Sequence, residues 1–151
     1  MDTGVQIVDY AYSLKPLNLA LSCAQPLQLK PMLSIKPSTK NDFINLYGMP
    51  LNNTFQAFTA FNDKKPIGAA GVMYNKNSTI YAFGHVTPEL RKYKVTLYKL
   101  AMKALEIIKK QNGPVYAIAD KNIPKSEDLL MKMGFIYRAP TNRGALYEWI
   151  G

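Results

Sequence analysis

Leu97-Tyr98-Lys99-Leu100-Ala101-Met102-Lys103-Ala104-Leu105-Glu106-Ile107-Ile108 is the stretch that decides the architecture. Leu97, Leu100, Ala101, Ala104, Leu105 and Ile108 fall at i, i+3, i+4, i+7, i+8 and i+11, one unbroken apolar stripe, while Lys99, Lys103, Glu106 and Lys110 lie off it. A helix with one apolar face needs a surface to bury it, and Asn112-Gly113-Pro114 ends the helix before a strand pattern resumes. Leu97, Leu100, Ala104, Leu105 and Ile108 are therefore expected to pack on a sheet. That sheet is supplied upstream by three strand patterns over residues 55–61, 67–74 and 79–86, separated by Asn62-Asp63-Lys64-Lys65 and Asn75-Lys76-Asn77-Ser78. Two hairpins and an antiparallel meander follow from those spacings. The middle strand carries Gly68-Ala69-Ala70-Gly71, small residues that admit another backbone or a ligand at close range, or mark a bulge.

Further out, Leu33-Ser34-Ile35-Lys36 alternates like a half-buried strand. Thr39 with Asp42 three residues on reads as a helix cap, followed by Phe43, Leu46 and Tyr47 and stopped by Gly48. Downstream, residues 115–119 form a continuous apolar run suited to a strand covered on both faces. Residues 126–133 read as a short helix ended by Gly134, and a closing hairpin, 135–138 with 145–150, turns around Asn142-Arg143-Gly144. Residues 1–32 differ: Pro16, Pro26 and Pro31 interrupt isolated apolar clusters such as Val5-Gln6-Ile7-Val8, with no period that would place them on one internal face. Two parts are expected, an extension or docking arm at 1–32 and a domain at 33–151. The arm is expected to engage a partner protein or a second copy of the chain.

The 151 residues are 48% hydrophobic and 19% charged, enough for one core and unlike a disordered tail. A single cysteine, Cys23, excludes an internal disulfide and offers no cysteine-ligated metal, so no metal site is expected. The apolar run 17–24 is too short to cross a bilayer, and Asp2 and Asp9 stand where a secretory signal would carry cations; no membrane insertion and a cytoplasmic setting are expected. Nineteen Lys+Arg against ten Asp+Glu give a net charge of +9, which favours anionic partners. Much of that excess sits in residues 91–110, where Arg91, Lys92, Lys94, Lys99, Lys103, Lys109 and Lys110 face one acid, Glu106. A solvated helix face accounts for it, and so does a surface for phosphate or another anion. Nucleic-acid binding is the weaker reading, because Tyr93 and Tyr98 alone make no stacking platform and no helix-turn-helix pattern accompanies them.

The succession of elements resembles the fold of the GNAT N-acetyltransferases, which use acetyl-CoA, over residues 33–151. Two stretches carry the resemblance: Val86-Thr87-Pro88-Glu89-Leu90-Arg91 before the long helix, similar to the family's strand end and loop, and Met133-Gly134-Phe135, similar to the Gly-Phe after its last helix. It implies an α/β (α+β) fold with a mixed, mainly antiparallel sheet of about seven strands and helices on both faces. It also implies cofactor contacts from Val86, Arg91, Lys92, Lys94, Thr96 and Asn122. In the family's loop, glycines let backbone N–H groups close on the cofactor's pyrophosphate; here Lys94 and Thr96 hold those positions. The family's thiolate-protonating tyrosine falls on Leu130, and the only histidine, His85, is the candidate catalytic base on the fourth strand.

A narrower resemblance runs to GNAT-like internal core proteins of short-tailed bacteriophages, through Leu33-Ser34-Ile35-Lys36-Pro37, Asn41-Asp42-Phe43 and the basic loop-helix without its two glycines. It implies a scaffold in host cytoplasm or virion. Two functions stay open: a GNAT-fold binding or assembly component with weak, salt-dependent acetyl-CoA affinity, and a working acetyltransferase with a nonstandard loop.

Overall fold

The computed structural model describes residues 30–120 and 125–150. Its elements are β1 (Leu33–Pro37), α1 (Lys40–Tyr47), β2 (Thr54–Asn62), β3 (Lys65–Tyr74), β4 (Ile80–Val86), α2 (Pro88–Arg91), α3 (Lys94–Lys109), β5 (Val115–Asp120), α4 (Ser126–Met133), β6 (Ile136–Pro140) and β7 (Gly144–Trp149). The strands form one seven-stranded sheet in the order β1-β2-β3-β4-β5-β7-β6. All neighbours are antiparallel except β4 and β5, so the expected mixed sheet is present. The arm expected at 1–32 lies outside the described residues but for its last three.

Local chemistry explains the helix ends. Thr39 Oγ1 accepts from the Asp42 N–H at 3.2 Å while Asp42 Oδ2 accepts from the Thr39 N–H at 2.9 Å, closing a reciprocal cap on α1. Gly48 then turns the chain in the left-handed region at φ 77°. Phe43, Leu46 and Tyr47 bury the inner face of α1 against Ala57, Ala69, Met73 and Phe83 on one side of the sheet.

On the other side, α3 packs Leu100 with Leu90, Ile67 and Ala60, and packs Ile107 and Ile108 with Val72, Val115 and Ala117. Leu100, Ala104 and Ile108 are buried as the periodicity required, whereas Leu97 and Leu105 are only half-buried and Thr96 and Ile107 take their place. The first half of α3 packs with β1–β3 and the second with Val72 of β3 and with β5, so the buried line drifts around the helix as the sheet beneath it twists. Leu130 and Met133 of α4 join the same cluster as Ile107 and Ile108.

The small residues of β3 serve packing. A Cβ on Gly68 would meet Leu90 Cδ2 at 2.4 Å, and one on Gly71 would meet the Gln56 carbonyl oxygen at 2.2 Å, so a side chain and a neighbouring backbone fill the two positions. Among the described residues no helix is long and apolar enough to cross a membrane.

Candidate functional site at the opening between β4 and β5

β4 and β5 pair through Ile80–Val115 and Tyr81–Tyr116. Past that point β5 stays with β7, which runs along its other edge from Val115–Trp149 to Asp120–Gly144, while β4 stays with β3 up to Val86–Gly68. The ladder between the two halves ends there. β4 runs on through Ala82, Phe83, Gly84, His85 and Val86, a rise of about 16 Å of strand along an opening in the sheet. The chain leaving the end of β4 builds the start of α3.

That connection is a helical turn where the sequence suggested a loop. Thr87 caps α2: its Oγ1 accepts from the Leu90 N–H at 3.3 Å and donates to the Ile67 carbonyl at 2.6 Å, and Pro88 occupies the first helical position. Leu90, fully buried, plugs the turn into the space beside Gly68. The turn uses up backbone donors. The N–H groups of Arg91, Lys92 and Tyr93 go to the carbonyls of Thr87, Glu89 and Leu90 at 3.3, 3.1 and 2.9 Å.

α3 begins at Lys94 without a side-chain cap, and its first internal bond runs from the Leu97 N–H to the Tyr93 carbonyl at 2.9 Å. By helix geometry the Lys94, Val95 and Thr96 N–H groups lack partners within α3 and lie at its positive end. Arg91, Lys92 and Lys94 are exposed around them. An anion is favoured here. Thr96, expected to crowd a bound pyrophosphate, is instead buried and lines a groove toward β1, so of the two substituted positions Lys94 alone leaves its side chain in solvent. Val86 is half-buried against Leu90 and Leu100, facing away from the His85 side of the sheet. Asn122 lies outside the described residues.

Glu89 is the acid nearest this cluster in sequence. Its Oε2 accepts from Asn62 Nδ2 at 2.8 Å and its Oε1 from Lys65 Nζ at 2.9 Å. Partial burial pushes its carboxyl up, but those two hydrogen bonds and the charges of Lys65 and Lys92 outweigh it and hold the group below the usual range. Such a carboxylate is a weak base.

His85 lies on the opposite face of the sheet. It is 1% exposed, beneath α1, with its ring edge-on to Tyr47 at 4.3 Å between centroids. Tyr47 Oη is itself buried and has no hydrogen-bond partner among the described residues, and burial pushes this phenol well above its ordinary range. The structure thus separates the candidate base from the basic cluster: His85 faces α1, and Arg91, Lys92 and Lys94 stand in solvent at the head of α3. Leu130, at the position of the family's tyrosine, packs into the core. The phenol of Tyr147 on β7 is pushed up to about 12, first by donating to Glu127 Oε1 at 2.8 Å and then by burial, so it stays protonated and engaged.

Sequence reading missed Tyr47 as the cover of His85 and Leu90 as the plug of the turn. The parity of Phe83 and His85, and the i, i+4 spacing of Phe43 and Tyr47, were the available signals for the first.

The elements, their order and the opening between β4 and β5 give the chain the GNAT acetyltransferase fold. Among solved structures, the ribosomal-protein-S18-alanine N-acetyltransferase of Escherichia coli is similar with a TM-score of 0.57 at 14% identity, covering 78% of this chain and 91% of that one. A GNAT-family acetyltransferase of Staphylococcus aureus Mu50 gives 0.55 at 16% identity, with 95% and 90% covered. A spermidine N-acetyltransferase of Vibrio cholerae gives 0.56 at 16%, with 78% and 93% covered. No protein-family model and no curated protein matches the sequence.

Proposed function

We propose that this chain is a GNAT-fold binding protein that takes the pyrophosphate of acetyl-CoA weakly at the head of α3 and has lost efficient acetyl transfer. The burial of His85 carries this reading. It is the only histidine, no Asp or Glu lies between Asp63 and Glu89, and Glu89 is committed to Asn62 and Lys65. No side chain of β4 therefore offers an exposed base to an amine in the opening. The assembly role implied by the resemblance to phage internal core proteins belongs to the same proposal, with the basic α3 face and the arm as its contact surfaces.

Affinity follows from the donors. Each charge-assisted hydrogen bond from an N–H to a phosphate contributes about 1.5–3 kcal/mol, so losing even two of the three donors diverted at the α2 turn weakens binding by about 3–6 kcal/mol. At 1.4 kcal/mol per decade this is roughly two to four decades. Arg91, Lys92 and Lys94 restore part of it through exposed charges that fade with salt. Calorimetric titration with acetyl-CoA at low and physiological salt, with an acetyl-transfer assay on polyamine and peptide amines, is the test. Weak, salt-sensitive binding without turnover is expected; a salt-insensitive dissociation constant in the low micromolar range overturns the proposal.

The second reading, an active acetyltransferase of an amine or protein acceptor, is favoured by the opening itself and by Thr96 turning away from the α3 terminus. It requires α1 to uncover His85. Under it, His85→Ala lowers turnover by about 10²–10⁴, and because the ring is buried against Tyr47 the substitution lowers the melting temperature as well.

A further inference from the structure

α3 carries a second apolar line that its packing on the sheet does not use. At about 100° per residue, Val95, Tyr98 and Met102 fall within about 60° of one another, on the side opposite Leu100, Ala104 and Ile107. They are 69%, 66% and 40% exposed. A helix packed by one face turns polar side chains outward, so a line of three apolar ones in solvent marks a contact surface. Lys99 and Lys103 border the line on one flank and Lys94 on the other, all three exposed. Beside Met102, between α3 and β1, lies a groove of about 450 Å³ lined by Leu33, Ile35, Thr96 and Met102, with Lys99 and Lys103 at its rim.

The charges around the line are almost all of one sign. Of the eight charged side chains from Arg91 to Lys110, seven are cations, and all eight are exposed. Glu106, the one acid, is engaged with Lys103 at 3.9 Å, and among the described residues no acid pairs with Lys94, Lys99, Lys109 or Lys110. A second copy laid on this face would set like charges against one another. A nucleic acid would neutralise the lysines but lay phosphates on Val95, Tyr98 and Met102. An apolar stripe edged with carboxylates satisfies both parts of the surface.

We propose that the exposed face of α3 docks an amphipathic helix of a partner protein, its apolar stripe set on Val95, Tyr98 and Met102 and its carboxylates beside Lys94, Lys99 and Lys103. This rests on the assembly role proposed above, to which it gives a partner chemistry. From Lys94 to Lys109 the face is about 22 Å long, so a partner helix of about four turns covers it. An apolar side chain of that helix enters the groove beside Met102 and fixes its register. The exposed lysines act through screened charge and steer the encounter, while the apolar contacts hold the complex at physiological salt.

The test titrates the full chain into a fluorescent peptide of about 18 residues, built of Leu, Glu and Ala with Leu at i, i+3, i+7, i+10 and i+14, and reads anisotropy at physiological salt. A second peptide carries Ser for every Leu. Expected is a micromolar dissociation constant for the Leu peptide and binding at least about tenfold weaker for the Ser peptide. Tyr98→Ser/Met102→Ser and Lys99→Glu/Lys103→Glu, each verified as folded by its melting curve, are both expected to weaken the Leu peptide at least about tenfold. Ile136→Ser on β6, at a position 48% exposed and away from α3, is expected to leave it unchanged. Equal binding of the two peptides overturns the proposal, since the face would then read charge alone. So does undetectable binding of the Leu peptide at about 100 μM, or unchanged affinity in Tyr98→Ser/Met102→Ser. Tighter binding of a DNA duplex of about 20 base pairs at the same salt overturns it in favour of nucleic acid, and self-association abolished by Tyr98→Ser/Met102→Ser overturns it in favour of a second copy. Acetyl-CoA titration of that variant is expected to match the original chain. Loss of the peptide with weak acetyl-CoA binding intact therefore refutes the partner alone, and tight acetyl-CoA binding refutes the earlier reading alone.

Discussion

Gly68→Ala tests whether Leu90 locks the turn that sets the head of α3. The added Cβ would lie 2.4 Å from Leu90 Cδ2 and 2.9 Å from the His85 carbonyl oxygen. Ordinary carbon contacts sit near ~3.5–4.0 Å, so Leu90 must retreat by about 1 Å or more, and the His85 carbonyl, fixed in the β3–β4 ladder, cannot. Leu90 is fully buried against Ile67 and Leu100, so its retreat must push on those neighbours. Overpacking of this kind costs about 1–3 kcal/mol, and the gain from replacing glycine in a chain, about 0.4–1 kcal/mol, offsets only part of it. Leu90→Ala alone should cost about 2–5 kcal/mol through the hole it leaves. In the double variant the new methyl occupies part of that hole, so the combined loss should fall short of the sum by about 1 kcal/mol or more. Urea denaturation of the four proteins gives the cycle, with a midpoint shift for Gly68→Ala of about 1 M. An additive cycle, or a Gly68→Ala protein as stable as the original, would refute the reasoning.

Three further outcomes are expected. Leu100→Ala, at a position 1% exposed, should cost about 2–5 kcal/mol in urea denaturation, and a loss below about 1 kcal/mol would mean that α3 does not pack as described. Tyr47→Phe removes a buried hydroxyl that has no partner among the described residues and should raise stability by about 1 kcal/mol; a fall of that size would show that the hydroxyl is satisfied. Glu89 has its carboxyl held below the ordinary value, so it stabilises the folded state above the unfolded carboxyl's pKa, and that contribution disappears as pH falls through the lowered folded value. The melting-temperature gap between the original chain and Glu89→Gln should therefore be widest near neutral pH and shrink below about pH 4; a gap independent of pH would contradict the assignment.

What was legible in the sequence was local. α4 has the bounds read from its sequence, Ser126–Met133, because Gly134 supplies an unambiguous stop at φ 103°. The Thr39–Asp42 cap is formed as its spacing required. The meander followed from turn clusters that interrupt three β-rich runs. α2 escaped reading because a four-residue turn has no period, and only Thr87-Pro88 hinted at a cap. The burial of His85 depends on which helix lies over the fourth strand, and no spacing along one strand carries that. The brevity of the β4–β5 ladder likewise reflects two strands held on their other edges by β3 and β7, pairings far apart along the chain.

That short ladder also makes α3 a splint. With two residue pairs joining β4 to β5, the β1–β4 half and the β5–β7–β6 half share little backbone. Leu100 packs with the first half, while Ile107 and Ile108 share a cluster with Val72 of that half and with Val115, Ala117 and Ala119 of β5. Force or heat applied across the sheet therefore falls on those two strand pairs together with the apolar cluster under the second half of α3, and the two halves melt together only as long as that cluster stays packed.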